Sequence, residues 1–163
     1  MAVPKRHSDP RNILAPARTF FFTANAIEKR YILQSNRMAS LLIDVLLKNI
    51  EQGRFDLHAY VVMPNHTHAL FTIHREMTVE KAAQYIKGGF SFRAKKELEY
   101  PLDVWQPGYS EEQVYTIQHF DSVVEYIHMN PVKERLVSSP ELFPHSSASK
   151  KMAYSPRPSH LRG

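Results

Sequence analysis

The sequence predicts an α+β fold built on a mostly antiparallel sheet. Short aromatic and β-branched runs alternate with longer segments whose apolar residues recur at helical spacing. Two of the short runs, 55–63 and 66–73, are separated by only two residues, and the others are joined across long helical connections. At 163 residues, 43% hydrophobic and 23% charged, the chain has the size of one domain and enough apolar content to bury a core.

The elements follow in order. "TFFFTA" (19–24) is dense in aromatic and β-branched residues without a helical period, and reads as a short strand buried on both faces. "SNRMASLLIDVLLKNIEQG" (35–53) places Met38, Leu41, Leu42, Val45, Leu46 and Ile50 on one helical face. Ser35 or Asn36 caps its start and Gly53 ends it. "FDLHAYVVM" (55–63) and "HTHALFTI" (66–73) are strands divided by Pro64-Asn65, as an antiparallel hairpin or as one long strand with a bulge at Pro64. "TVEKAAQYIKGGFSFRAKKELE" (78–99) is helical from a Thr78 cap, with Gly88-Gly89 expected to break or bend it. "VWQPGYS" (104–110) is a turn-rich connection to a short strand in "EEQVYTI", and "QHFDSVVEYIHMN" (118–130) is a helix that Pro131 is expected to stop.

Composition narrows the chemistry. There are no cysteines, so neither disulfides nor thiolate metal sites are available, and a metal would need His, carboxylate or amide donors. No apolar run approaches the ~18–20 residues of a membrane helix, and "MAVPKRHSDPRNILAPARTF" lacks a signal peptide's apolar segment, so a cytoplasmic protein without membrane contact is expected. The net charge of +5 is concentrated at the ends: +3 in a basic N-terminal extension (1–18) and +4 in residues 150–163, within a Pro/Ser-rich basic C-terminal tail (138–163). Such ends suit contact with a phosphate backbone, and serve equally to keep a chain soluble.

The candidate chemistry begins at "PNHTH". On a strand, residues i and i+2 share a face, so His66 and His68 project together while Thr67 points away. Two neutral imidazoles can chelate one divalent cation, although a pair without a third donor also arises by chance among nine histidines. In 118–130, Tyr126 and Asn130 stand one turn apart on one helix face. An amide oxygen suits Mg²⁺ or Mn²⁺, and a phenol is a nucleophile once deprotonated. The plainer reading of the same pair is a packing tyrosine and a helix cap before proline.

"YVVMPNHTHALFTI" resembles the His-hydrophobic-His strand of the single-tyrosine HUH transposases, the IS200-like family. "VWQPGYS…VVEYIHMNPVKERLV" resembles the tyrosine helix of its REP-associated tyrosine transposase branch, and "FFFTA" that branch's first strand. The likeness covers about residues 19–137, the expected transposase domain. It implies a ferredoxin-like antiparallel sheet with helices packed on it, the HUH endonuclease fold. It further implies a metal-dependent endonuclease and strand transferase acting on single-stranded or hairpin DNA, as a monomer or a homodimer. By position, His66, His68 and Asn130 would hold Mg²⁺ or Mn²⁺, and Tyr126 would be the nucleophile joined to a 5′ phosphate. Thr67 departs from the family's bulkier apolar residue. Tyr109 and Tyr115 are rival phenols, but only Tyr126 has an amide one turn later. No base for the tyrosine proton is identified, since His128 points away.

Lys133 and Arg135, just past the tyrosine helix, are candidate phosphate contacts, with Lys87 and Arg93 as further ones. Trp105 and Tyr109 are candidate stacking platforms for unpaired bases. Two other readings compete. A two-histidine phosphoesterase would require a second His-x-Thr or His-x-Ser strand, which the sequence lacks, whereas a non-catalytic hairpin-binding module would keep the fold without strand transfer.

Overall fold

The computed structural model describes residues 17–150 and 154–163. Four strands form one antiparallel sheet: β1 (Ala17–Asn25), β2 (Asp56–Met63), β3 (His66–His74) and β4 (Ser110–Val114), in the order β2-β3-β1-β4. Helices α1 (Asn36–Glu51), α2 (Val79–Leu98) and α3 (Ile117–Lys133) connect or follow them. This is the expected α+β fold, an antiparallel sheet with helices packed on it.

Alternation along the strands divides the sheet into two faces. Phe20, Phe22, Tyr60, Val62, Ala69 and Phe71 point to one side and are buried with Leu42, Val45, Ile86 and Phe90 of α1 and α2. Val61, Met63, Leu70 and Val114 point to the other and meet Phe120, Val123 and Ile127 of α3. The chain is therefore three layers deep, with the sheet in the middle.

The ends of α1 are as expected: the Ser35 side chain accepts from the Met38 N–H, and Gly53 follows with φ of 71°. Pro64 and Asn65 form a two-residue hairpin turn, with Met63 paired to His66. Of the two arrangements open at Pro64-Asn65 the hairpin is the one found, and a bulge occurs elsewhere, at His58, where the register shifts between Leu57 and Ala59. That bulge reverses the alternation, so Leu57 faces α1 and α2 while Ala59 faces α3.

Two expected breaks do not occur. Helix α2 runs through Gly88-Gly89 without interruption. Burial of Val79, Ala82, Ala83, Ile86, Phe90 and Ala94 outweighs a propensity cost of about 1 kcal/mol per glycine. Helix α3 continues through Pro131 to Lys133. Pro131 removes one N–H only a turn from the end, where Arg135 turns the chain with φ of 59°. Lys133 therefore belongs to the helix rather than following it.

The ends of the chain also belong to the fold where they are described. Arg18 is a buried β1 residue that donates to the Arg75 and Met77 carbonyls, each at 2.7 Å; residues 1–16 of the basic extension lie outside the described residues. In the Pro/Ser-rich stretch, the Val62 N–H donates to the His145 carbonyl and the Tyr60 N–H to Ser147 Oγ. Those bonds cover the outer edge of β2. Among the described residues, no helix is long and apolar enough to cross a membrane.

Candidate functional site

His66 and His68 lie at the start of β3, on the face toward α3, with ring centroids 4.8 Å apart. Helix α3 crosses that face with Tyr126 and Asn130 turned toward them. The Tyr126 ring stands 5.5 Å from the His68 ring and 5.8 Å from Phe21, and Asn130 Oδ1 lies 3.2 Å from His66 Nε2. All four line one cleft of about 410 Å³, and all come from one chain. Burial differs among them: His68 and Asn130 are 6% and 5% exposed, while Tyr126 is 42% exposed at the opening.

Each imidazole is oriented by a second polar residue. His68 Nδ1 is 2.8 Å from Thr23 Oγ1, its cross-strand partner on β1. With Nδ1–H donating there, Nε2 turns its lone pair to the cleft, the tautomer a metal ligand needs. Burial, reinforced by the neighbouring His66, pushes the His68 pKa down to about 3. His66 is also pushed below its ordinary value, chiefly by burial; Asn130 and Glu134 oppose the shift and Lys29 adds to it. Both imidazoles are therefore neutral at neutral pH.

His66 faces two amide oxygens, Asn65 Oδ1 at 2.7 Å and Asn130 Oδ1 at 3.2 Å. A neutral imidazole has one N–H. Donation to the nearer Asn65 leaves the Nε2 lone pair opposite Asn130, so either the Asn130 amide turns its nitrogen inward or a cation occupies the space. The spacing suits a cation: two donors at right angles, each about 2.1 Å from an octahedral ion, stand roughly 3.0 Å apart. Among the described residues no cluster of three His, Asp or Glu side chains forms a metal site, and a cation in this space would have two imidazoles and an amide as donors. Three neutral donors would leave a divalent ion its full charge.

The other sequence candidates divide by position. Lys133 Nζ lies 5.4 Å over the ring of Tyr126, which lines the cleft, and Arg135 follows the end of α3. Four are engaged away from the cleft. Lys87 donates to the Gln106 and Gly108 carbonyls. Arg93 bonds Glu97 and Asp44, tying α2 to α1. Trp105 Nε1 donates to the Lys87 carbonyl with its ring 5.7 Å from Phe90, and the Tyr109 ring packs 5.6 Å from Phe22. That packing puts Tyr109 on the α1/α2 side. Because β4 runs antiparallel to β1, with Ser110 beside Thr23, Tyr115 lies beyond the far end of the strand pair. His128 bonds Ser147, away from the cleft. Thr67 turns from the site and donates to the Val61 carbonyl, which satisfies a hydroxyl in an apolar layer.

Sequence reasoning missed Thr23, Asn65, Lys29, Tyr31 and Glu134. Only strand register reveals Thr23, which lies opposite His68. Glu134 could be read from the helical period, one turn past Asn130, whereas Lys29 and Tyr31 carry no local signal.

A family described as "Transposase IS200 like" matches residues 22–130, a span that includes the histidine pair, Tyr126 and Asn130. The chain is 25% identical over 147 residues to the REP-associated tyrosine transposase of Escherichia coli (strain K12), covering 90% of this chain and 86% of that protein. Its fold is similar to a solved REP-associated tyrosine transposase bound to a REP hairpin, with a TM-score of 0.71 and 24% identity over 90% of this chain and 82% of the other. A Deinococcus radiodurans R1 structure described as a transposase matches with a TM-score of 0.53 and 17% identity, over 78% of this chain and 95% of its own.

Proposed function

The chain belongs to the IS200-like transposase family, and from that premise we propose that it is a metal-dependent single-stranded DNA endonuclease and strand transferase that cuts beside DNA hairpins through a covalent 5′-phosphotyrosine at Tyr126. One observation carries this reading: the two imidazoles, the amide and the phenol, 58 residues or more apart between strand and helix, converge in one cleft of a single chain. The hairpin is inferred from the solved relative that holds one. The body of the domain is not basic, so affinity depends on local contacts more than on net charge.

His66, His68 and Asn130 would hold Mg²⁺ or Mn²⁺, which would supply charge to offset that developing on the phosphate. Tyr126, open to solvent on one side and held by Phe21 and His68 on the other, admits a phosphate to its hydroxyl. Its oxygen attacks phosphorus as it gives up its proton. The bond to the 3′ oxygen breaks, that oxygen takes up a proton, and the 5′ phosphate stays on the protein. Attack by another 3′ hydroxyl reverses these steps and joins the strand to a new end. Lys133, beside the ring, is placed to pair with a flanking phosphate.

The test is nicking of a labelled hairpin oligonucleotide with Mg²⁺ or Mn²⁺, followed by denaturing electrophoresis. Wild type forms an adduct that survives denaturation. Tyr126→Phe forms none, yet binds the same DNA. An adduct with Tyr126→Phe contradicts the assignment, and hairpin binding without any adduct from wild type supports a non-catalytic module instead.

A further inference from the structure

The cleft contains residues to which the reaction above gives no role. Lys29, Tyr31 and Gln34 line it from the loop between β1 and α1, opposite the end of α3. This loop is fixed at two points to the turn that aims His66: the Ala26 N–H donates to the Asn65 carbonyl at 2.8 Å, and the Leu33 N–H to the Pro64 carbonyl at 2.9 Å. Leu33 is 1% exposed and anchors the loop from beneath. Between these anchors, Glu28 and Lys29 both hold φ of 52°, a left-handed conformation disfavoured for residues bearing a Cβ.

What the loop presents is chemically specific. Tyr31 is 66% exposed, a large aromatic ring left on the rim of the cleft that Tyr126 also lines. No ion pair of Lys29 occurs among the described residues, although its neighbours Glu28 and Arg30 pair with each other at 2.7 Å. Its charge is felt at His66, so the ammonium group is within electrostatic reach of the site. Glu134, on the α3 wall of the cleft, repels a phosphate backbone toward the Lys29 side.

We propose that the β1–α1 loop is a nucleotide subsite, in which Tyr31 stacks on an unpaired base next to the cleavage point and Lys29 pairs with a backbone phosphate of the same strand. This rests on the reading of the cleft as a single-stranded DNA site. An aromatic platform accepts any base, so the subsite selects unpaired over paired DNA rather than one sequence over another.

Binding is measured by fluorescence anisotropy in a Tyr126→Phe background, which removes cleavage. The probes are a labelled hairpin with a single-stranded flank of randomised sequence and the same hairpin with a blunt end. Tyr31→Ala weakens binding of the flanked hairpin by about fivefold to a hundredfold and leaves the blunt hairpin unchanged, while Tyr31→Phe retains the parent's affinity. Lys29→Ala lowers the slope of log affinity against log salt by about one, and Lys29→Arg restores it. The subsite is overturned if Tyr31→Ala and Lys29→Ala bind the flanked hairpin as the parent does, or if they lose both hairpins equally. In the first outcome the parent still prefers the flanked probe, and the DNA reading of the cleft stands. A parent with no preference for the flank sinks that reading, and the subsite with it.

Discussion

The two faces of the sheet are built from the same four strands and both bury apolar residues, but they differ in polar content. Toward α1 and α2 the contacts are dry: Phe71 meets Phe55, Phe22 and Phe20 at centroid distances of 5.1, 6.0 and 6.4 Å, and all four rings are buried. Toward α3 the same strands carry Thr19, Thr72 and His58 in one hydrogen-bonded group, Thr23 bonded to His68, and His66 beside Asn130 of α3. Strand alternation makes this division possible, since neighbouring residues in "FFFT" or "HTH" serve different layers. The larger apolar cluster lies toward α1 and α2, while the α3 face combines a smaller one with buried polar groups that carry their own cost.

Substitutions should separate the faces. The largest effect on stability is expected from Phe71→Ala, which removes the centre of the aromatic cluster and should cost about 3–5 kcal/mol in denaturant unfolding. The α3-facing residues keep their positions in that variant, so metal binding by the folded fraction should persist.

Thr23→Val should do the reverse. It deletes the hydroxyl that orients His68 while keeping the strand's shape, and should weaken Mn²⁺ binding by roughly tenfold to a hundredfold in calorimetry with far less effect on unfolding. Equal effects on both would remove the distinction between the faces.

A smaller effect is expected from acid. His58, facing α3 between Thr72 and the Ser155 carbonyl, is held below its ordinary pKa of 6.5 by burial. The unfolded chain therefore takes up the proton first, and this contribution to stability is complete above about pH 6.5 and is lost as pH falls below it. Its loss is at most about 1.4 kcal/mol per pH unit. Unfolding of wild type and His58→Gln should diverge between about pH 7 and pH 5.5, with the variant less acid-sensitive; parallel curves would show that folding leaves the proton affinity of His58 unchanged.

What could be read in advance follows the same division. Helix α1 is legible because its cap, apolar period and terminal glycine agree. The course of α2 through Gly88-Gly89 and of α3 through Pro131 is not, because tertiary burial there overrides local propensity. The bulge at His58 leaves no local mark, although it decides which layer Leu57 and Ala59 join. At the site, residue type and spacing single out His66, His68, Tyr126 and Asn130 but leave their roles open, and only the family resemblance assigns them, whereas Thr23 and Asn65 gain their places from register and a turn.

Tyr126 is the most exposed member of the group, and the mechanism depends on it most. The direct measurement is protease digestion of the covalent protein–DNA adduct followed by mass spectrometry of the nucleotide-bearing peptide. The modification should fall on Tyr126 and on no other tyrosine. A nucleotide on Tyr109, Tyr115 or Tyr31 would contradict the assignment of the nucleophile and the role given to the α3 face.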